Sequence, residues 1–489
     1  MKHTAIIKYL ALLLVLVLGL PLFAGCASGD TMTTEVFDLT NPSSETSAQW
    51  TVGFGQAILP YPEDSDEPIY IAGYNQGWEI DYILDEQRAS AVWLDCGGEG
   101  VLLIGIDCIA LSSKTVNDIR TDLAAKCAEW GCAVVHIYAT HTHAGIDTLG
   151  LWGPVCMEGK NSDFQQILVE GAFDAACQAY ENRRTGTLTY SSAETVDSLR
   201  DSRDPQVYDP FLHQIRFKPD DGSDGTRIIS YTAHAESLRG DNTFLSRDFP
   251  GEMSDIFKAE TGDNMMYMPA AIGGLLMTRD FCQEMGFVTY EENMHYTGRR
   301  MADYLLAIPE ADEVVVEPMM TAARTCFTAP LDNTAFMYYR FLGILDTSAV
   351  PAESDTGYAL ETEMSVITLG NLTLTLIPGE IFPELVYGGY FDDTIAASPE
   401  NENPMPLVEI AAQYGYGNLL ICGLANDEIG YIVPPNDFLL SEEAPYFDKI
   451  DDHKGENHYE ETNSLGIRTA HRIAEAFETT LKALNEAGK

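Results

Sequence analysis

The stretch that decides the fold is CAVVHIYATHTHAG, residues 132–145. Its first eight residues are mostly apolar, β-branched or aromatic, which predicts a buried β-strand. The strand runs into two histidines, His141 and His143, separated by one threonine. Residues two apart on an extended chain point to the same side, so both imidazoles are expected at one site beyond the strand. Because a metal site needs three or four ligands, two histidines are not enough and the others must come from elsewhere.

The segments on either side of this strand predict an α/β (α+β) fold. AVWLDC (91–96) and VLLIGIDCIAL (101–111) indicate two strands, and apolar residues at steps of three and four predict helices over 113–130 and about 163–183. Further strands are indicated by TLTYSS, LHQIRF and RIISYTAH, a hairpin by Gly370-Asn371, and a last helix by residues 464–486. No internal repeat or flexible linker interrupts this region. The pattern favours a single large domain over 49–489, with mixed β-sheets flanked by helices.

The first 25 residues resemble a bacterial lipoprotein signal peptide. Lys2 and Lys8 supply a basic start, an apolar run follows, and LFAGC (22–26) resembles a lipobox. This predicts cleavage before Cys26, lipid attachment to that cysteine, and a location on the extracytoplasmic face of the cell membrane. The alternative is an uncleaved membrane anchor, because the apolar run is nearly long enough to span a bilayer. Residues 26–48 are rich in Ser and Thr and predict a polar tether.

The charge balance excludes one class of partner. The chain has 75 acidic and 28 basic residues, a formal net charge of −47. Such a surface repels phosphate backbones, so we expect no nucleic-acid partner. Charge does not attract the protein to anionic lipid either, so membrane contact depends on the lipid expected on Cys26. The oligomeric state is not predicted by any of these features.

Three further polar residues follow predicted strands. His234 ends RIISYTAH, Glu380 ends LTLTLIPGE, and Tyr431 follows LLICGLANDEIG. Loops gather beyond strand ends and sites are commonly built there, which makes these residues candidate partners of His141 and His143. Spacing alone does not establish that they meet. His136 has the opposite parity on the strand and is expected in the core or behind the site.

Six blocks of the sequence resemble motifs of the neutral/alkaline (non-lysosomal) ceramidase family, in the family's order. They run from about residue 50 to the C-terminus. They are AGYNQG (72–77), YATHTHAG (138–145), SYTAHAESLRGDNTFLSRDFPGEM (230–253), IPGEIF (377–382), GLANDEIGYIVP (423–434) and HYEETNS (458–464). The fourth and fifth resemble the family patterns P-G-E-F-T and G-x-x-N-x-Y-x-x-Y. The resemblance implies the ceramidase catalytic-domain fold. We expect no additional C-terminal β-domain.

The resemblance also implies roles for individual residues. It makes four residues ligands of Zn²⁺, namely His141, His234, Glu380 and Tyr431. It places His143 and Tyr459 against the substrate. An arginine belongs near the substrate's carbonyl oxygen; Arg200 and Arg203 are both candidates, and the R-x-P context favours Arg203.

Two positions depart from the family pattern. In YMPAAIGGLLMTR (267–279), Ala271 stands where the family has a serine that is assigned a catalytic role, and Leu275 stands where it has an aspartate. The expected activity is zinc-dependent hydrolysis of an amide bond in a small or lipid-like N-acyl compound, by a metal-activated water. The departures leave two alternatives open. One is a surface lipoprotein that binds a ligand without turnover, and the other is an amidase or esterase acting on cell-wall or peptide material.

Overall fold

The structure is a computed structural model, and it describes residues 32–40 and 48–488. The predicted signal peptide and Cys26 lie outside the described residues. Within the described residues, no helix has the length and apolar character that crossing a membrane requires.

The described strands are short to medium in length and most belong to two large sheets. In chain order they are β1 (Thr33–Asp38), β2 (Trp50–Ile58), β3 (Tyr82–Ile83), β4 (Arg88–Asp95), β5 (Gly100–Ile106), β6 (Cys132–Ala139), β7 (Arg184–Glu194), β8 (Leu199–Arg200), β9 (Phe211–Pro219), β10 (Thr226–Tyr231), β11 (Phe244–Leu245), β12 (Asn264–Pro269), β13 (Met277–Thr278), β14 (Val314–Val315), β15 (Met320–Leu331), β16 (Ala349–Pro351), β17 (Tyr358–Leu369), β18 (Leu372–Leu376), β19 (Glu380–Ile381), β20 (Leu419–Cys422), β21 (Tyr431–Ile432), β22 (Ile450–Asp451) and β23 (Asn457–His458).

The described α-helices confirm the three helices predicted from periodicity. In chain order they are α1 (Ser113–Trp130), α2 (Ser162–Glu181), α3 (Asp248–Thr261), α4 (Cys282–Met285), α5 (Tyr290–Leu306), α6 (Thr334–Phe341), α7 (Pro383–Tyr387), α8 (Leu407–Gln413) and α9 (Thr469–Ala487). The last helix begins five residues later than predicted. The predicted hairpin is the β17–β18 pair, with Gly370 in the left-handed region at φ 56° as its turn requires.

The two large sheets are both mixed. The nine-stranded sheet has the order β12-β10-β9-β7-β2-β4-β5-β6, with β14 paired to β7, and its β5–β6 and β10–β12 pairs are parallel. The six-stranded sheet has the order β1-β15-β17-β18-β20, with β16 paired to β17, and only its β18–β20 pair is parallel. The expectation of mixed sheets flanked by helices is therefore confirmed.

The sheets stack face to face between two layers of helices. Leu103 and Tyr138 of the first sheet share one buried cluster with Ile367 and Leu374 of the second. The outer face of the first sheet packs against α1 and α2, with α3 and α5 covering its β10–β12 end. The outer face of the second packs against α9. This four-layer α/β/β/α order explains why β5 and β6 read as continuous apolar runs, since both their faces are buried.

The predicted tether contains a strand of the fold. Residues 33–38 form β1, which pairs antiparallel with β15 over six residues, and Leu39 is fully buried between the sheets. The boundary near residue 49 is therefore too late. Polar composition misled the prediction because β1 is an edge strand with several exposed side chains, so its Thr-rich sequence resembles that of a tether.

Candidate functional site

The two histidines of the opening stretch converge, although not by continuing the strand. β6 ends at Ala139, and His141 takes a left-handed conformation with φ 61°. A non-glycine residue adopts this conformation at some energetic cost, which surrounding contacts must offset. The N–H of His143 bonds to the carbonyl of Ala235 at 3.0 Å, so the loop after β6 is fastened to the loop after β10. His136 lies within the core, as expected, and is hydrogen-bonded to Asn426.

The loop after β10 delivers His234 to the same place. Its N–H bonds to the carbonyl of Leu276 at 2.9 Å. A buried carboxylate stabilises the next turn, because Asp248 accepts hydrogen bonds from the N–H groups of Ser237 and Leu238. These backbone bonds fix His234 from both sides.

Glu380 and Tyr431 are brought together by a two-residue parallel ladder. β19 pairs with β21 in a register that sets Glu380 directly beside Tyr431. The N–H of Glu380 bonds to the carbonyl of Gly430 at 3.2 Å. Gly379 must be glycine here, since a Cβ would lie 2.6 Å from that carbonyl oxygen. The hydroxyl of Tyr431 is one of the groups that lower the pKa of the Glu380 carboxyl.

The ring nitrogens and the carboxylate meet at one buried point. His234 Nε2 lies 3.1 Å and His141 Nε2 lies 3.5 Å from Glu380 Oε2, and His143 Nε2 lies 3.1 Å from His141 Nε2. The opposite nitrogens of two rings face backbone carbonyls: His141 Nδ1 is 2.7 Å from the oxygen of Ile109, and His234 Nδ1 is 2.6 Å from that of Leu276. Each Nδ1 therefore carries the proton and each Nε2 presents a lone pair to the centre.

The charges at this point call for a cation. Burial and the neighbouring His234 lower the pKa of His141 to about 4, and burial with both other imidazoles holds the pKa of His143 well below 6.5. Burial alone would raise the pKa of Glu380, but His141, His234 and Tyr431 outweigh it and keep that pKa below the usual value. Burial opposes protonation of His234, yet Glu380 raises its pKa. A proton or a metal ion on Nε2 removes the repulsion between lone pairs and carboxylate.

The three histidines form a group that could hold a metal ion, with ligand atoms all within 4.8 Å of one another. The donor chemistry fits, because neutral imidazoles and a carboxylate are the usual ligands of such ions. Two overlapping ligand sets share His141 and His234. One adds His143, and the other adds Glu380 and Tyr431.

His143 is held differently from the other two imidazoles. Its Nδ1 is buried without a hydrogen-bond partner among the described residues, and the nearest carboxylate oxygen, on Glu236, is 3.8 Å away. That carboxylate accepts a short hydrogen bond from the hydroxyl of Tyr74, whose ring packs edge-on against the imidazole at 5.1 Å between centroids. Gly73 passes so close that a Cβ there would lie 2.8 Å from the Cβ of His143.

A cavity of about 470 Å³ opens above this cluster. His141, His143, Glu380 and Tyr431 line one end of it. Much of the remaining wall is apolar and includes Leu149, Leu151, Trp152, Phe336, Leu345 and Leu465. An apolar wall with a few polar groups at one end is the usual form of a small-molecule site.

The two other predicted substrate-side residues lie in different surroundings. Tyr459 lines the cavity, with its ring 6.2 Å from that of Tyr431. Arg203 is outside the cavity lining and only 6% exposed. Its guanidinium is within 3.2 Å of carboxylate oxygens of Asp437, Glu460 and Glu461.

The expectation of Arg203 beside a carbonyl oxygen is therefore corrected. All three of its carboxylate partners are buried, so the guanidinium serves to neutralise them and to hold the segment that carries Tyr459. Arg200 is exposed and does not line the cavity either. The sequence context R-x-P gave no information about which way the side chain points.

Sequence reasoning overlooked three groups near the site. Glu236 contacts Tyr74, while Glu428 and Arg340 line the cavity. Glu428 had a visible signal, because in the pattern G-x-x-N-x-Y-x-x-Y it occupies the position of the first tyrosine. Ala271 is fully buried, and neither it nor Leu275 lines the cavity.

The chain has a neutral ceramidase-like fold, as its motifs implied. The crystal structure of neutral ceramidase from Pseudomonas aeruginosa superimposes with a TM-score of 0.69 at 17% sequence identity, covering 90% of this chain and 75% of that one. A structure described as ceramidase complexed with C2 gives a TM-score of 0.66 at 16% identity, covering 90% and 76%. At this level of identity the likeness establishes the fold alone.

Comparisons of sequence find no such relative. No protein-family model matches the chain, and no curated protein matches it.

Replacement of Arg203 tests whether it is structural. We expect Arg203→Gln to lower the free energy of unfolding by about 3–5 kcal/mol, because it leaves three buried carboxylates without their counter-charge. Thermal or denaturant unfolding followed by circular dichroism measures this, with exposed Arg200→Gln as the matched control. An Arg203→Gln protein of unchanged stability would show that the guanidinium is not needed to hold these carboxylates.

Proposed function

We propose that the protein is a zinc-dependent hydrolase that cleaves an amide bond in a lipid-like N-acyl compound. The observation that carries the proposal is the convergence of His141 Nε2, His234 Nε2 and the Glu380 carboxylate at the end of an apolar-walled cavity. The likeness in fold to structures described as ceramidases supports the same class of bond. The cavity wall matches the chemistry of an acyl chain.

We assign the metal to His141, His234, Glu380 and Tyr431, and leave His143 to the substrate. Metal-binding histidines almost always donate their second N–H to a carbonyl or carboxylate, which fixes the ring. His141 and His234 meet this condition through Ile109 and Leu276. His143 does not, since its Nδ1 has no hydrogen-bond partner among the described residues.

Zn²⁺, when bound, polarises a carbonyl group and lowers the pKa of a water to about 7. The neutral imidazole of His143 can accept a proton on Nε2 from the attacking water and pass it to the leaving nitrogen. Because its pKa lies well below 6.5, the imidazole starts neutral and acts as a base before it acts as an acid. Tyr459 also lines the cavity, and we assign to its hydroxyl the role of donating a hydrogen bond to the carbonyl oxygen.

We further propose that the chain is exported and held at the membrane by lipid on Cys26. The support is the order of the basic start, apolar run and LFAGC. Because β1 begins at Thr33, only six residues separate Cys26 from the first strand, which limits the distance between them to about 25 Å. Mass spectrometry of the mature N-terminal peptide should find diacylglycerol on Cys26. A peptide that retains residues 1–25 would contradict this.

The metal assignment predicts which replacements remove zinc. The purified protein should contain about one zinc per chain and hydrolyse N-dodecanoylethanolamine. Outer-shell partners typically account for about 10–100-fold in metal affinity or activity, so loss of a ligand in Glu380→Gln should reduce both by more than that. Glu428→Gln, at another carboxyl in the same cavity, is the matched control for zinc content.

Metal analysis and single-turnover rates measure these effects. The variant His143→Ala tests which of the two ligand sets binds the metal, because a protein whose metal is held by Glu380 and Tyr431 should keep zinc and lose hydrolysis when His143 is removed. Wild-type protein without metal, or with metal but no turnover of any amide, would leave a binding protein as the better description.

Gly73 gives a second test of His143. In Gly73→Ala the new methyl group overlaps His143 and should displace its ring, lowering hydrolysis by about 100-fold with zinc content unchanged. Gly77→Ala is the matched control, because Gly77 also has a positive φ but its nearest foreign atom is 3.7 Å from the built Cβ. Equal effects of the two substitutions would show that backbone strain, rather than contact with His143, is responsible.

A further inference from the structure

Arg340 differs in charge from the other residues of the cavity wall. It lies in the last turn of α6 and, of the described residues that line the cavity, it is the only lysine or arginine. The residue is half-buried, and Phe341 next to it is 67% exposed, so this end of α6 lies at the protein surface. Tyr339 and Leu345 line the wall on either side of it in sequence.

The guanidinium of Arg340 has no ion pair or side-chain hydrogen bond with any residue that the structure describes. This is unexpected in a chain with 75 acidic and 28 basic residues, where arginines such as Arg203, Arg216 and Arg247 all contact carboxylates. A charge that is partly removed from water without a partner is unfavourable, so the wall holds an unsatisfied positive group.

The other charged groups of the cavity do not serve as partners of the Arg340 guanidinium. Glu380 faces the histidines, with its Oε2 atom 3.1 Å from His234. Glu428 accepts a hydrogen bond from the N–H of Gly430 through one oxygen, and its other oxygen has no partner among the described residues. Neither carboxylate forms an ion pair with Arg340. An anion that enters the cavity therefore has no internal competitor for the guanidinium.

We propose that Arg340 determines specificity by binding an anionic group, a carboxylate or a phosphate, carried by the N-acyl substrate. The inference rests on the proposed function and narrows its substrate class. A guanidinium presents paired N–H donors that match both anions in a bidentate manner. The apolar wall beside it receives the acyl chain, so the expected substrate is an amphiphile with its negative charge near the mouth.

The net charge of −47 does not prevent an anion from binding at Arg340. At physiological ionic strength, charges more than about 8 Å apart are largely screened, so the guanidinium governs the anion once it reaches the mouth. Distant acidic residues affect the rate of approach more than recognition within the cavity.

The test compares three amides with one acyl chain. N-dodecanoylglycine carries a carboxylate, N-dodecanoyl-O-phosphoethanolamine carries a phosphate, and N-dodecanoylethanolamine is neutral. Zinc-loaded wild-type protein should prefer at least one anionic compound in kcat/KM by about 10–100-fold, the range expected for a hydrogen-bonded charge pair. The preferred compound identifies the anion. In Arg340→Gln this preference should vanish through a rise in KM with little change in kcat, and Arg340→Lys should retain part of it.

A binding measurement makes the outcome independent of turnover. Calorimetry with the same three compounds at 4 °C on Glu380→Gln protein, and on Arg340→Gln combined with it, measures recognition without hydrolysis. Exposed Arg200→Gln is the matched control and should behave as wild type. The proposal would be overturned if wild-type protein showed the same kcat/KM and the same affinity for neutral and anionic compounds. It would also be overturned if Arg340→Gln and Arg200→Gln gave the same values of these quantities. Preferential binding of an anion without any hydrolysis would support it while the proposed enzyme activity fails.

Discussion

Lone-pair repulsion at one buried point is the constraint on which the rest of the site depends. One carboxylate oxygen, Oε2 of Glu380, lies 3.1 Å from His234 Nε2 and 3.5 Å from His141 Nε2, in surroundings where water does not reach these atoms freely. Such an arrangement is unfavourable unless a cation is shared among them. The fold must therefore supply enough rigid contacts to hold the groups in place before the cation binds.

Those contacts come mostly from the backbone. Carbonyls of Ile109 and Leu276 orient the two rings, and the β19–β21 ladder sets Glu380 beside Tyr431. Each acts through short loops at strand ends, so the stacked sheets act as the rigid support. His141 itself takes a left-handed conformation, with φ 61°. The strain at this residue is offset by the hydrogen bonds on either side of it.

Periodicity predicted the elements with long, regular patterns, and it failed where tertiary contacts decide. The helices over 113–130 and in the last segment, and the hairpin at Gly370, follow from local spacing alone. The strand within the expected tether did not, because an edge strand needs no continuous apolar pattern. The direction of Arg203 also could not be predicted, because its three carboxylate partners lie more than 200 residues away in sequence. The motifs contain His141, His143 and His234, which the structure brings together, because these motifs mark loops that follow strands.

The metal-binding cluster and the apolar part of the cavity wall follow different requirements, which explains why the motifs contain the whole cluster but none of the apolar wall residues named above. The cluster at the centre needs particular residue types at fixed geometry, and these are the residues that the family motifs contain. The wall needs only shape and polarity, so it can change while the centre stays the same. Ala271, which first suggested a lost activity, is buried outside the wall, whereas Glu428 and Arg340 lie on it. What distinguishes this protein among chains of its fold is therefore to be sought in the groups that line the cavity beyond the reacting bond. The clearest of them is the guanidinium of Arg340, which has no side-chain partner among the described residues.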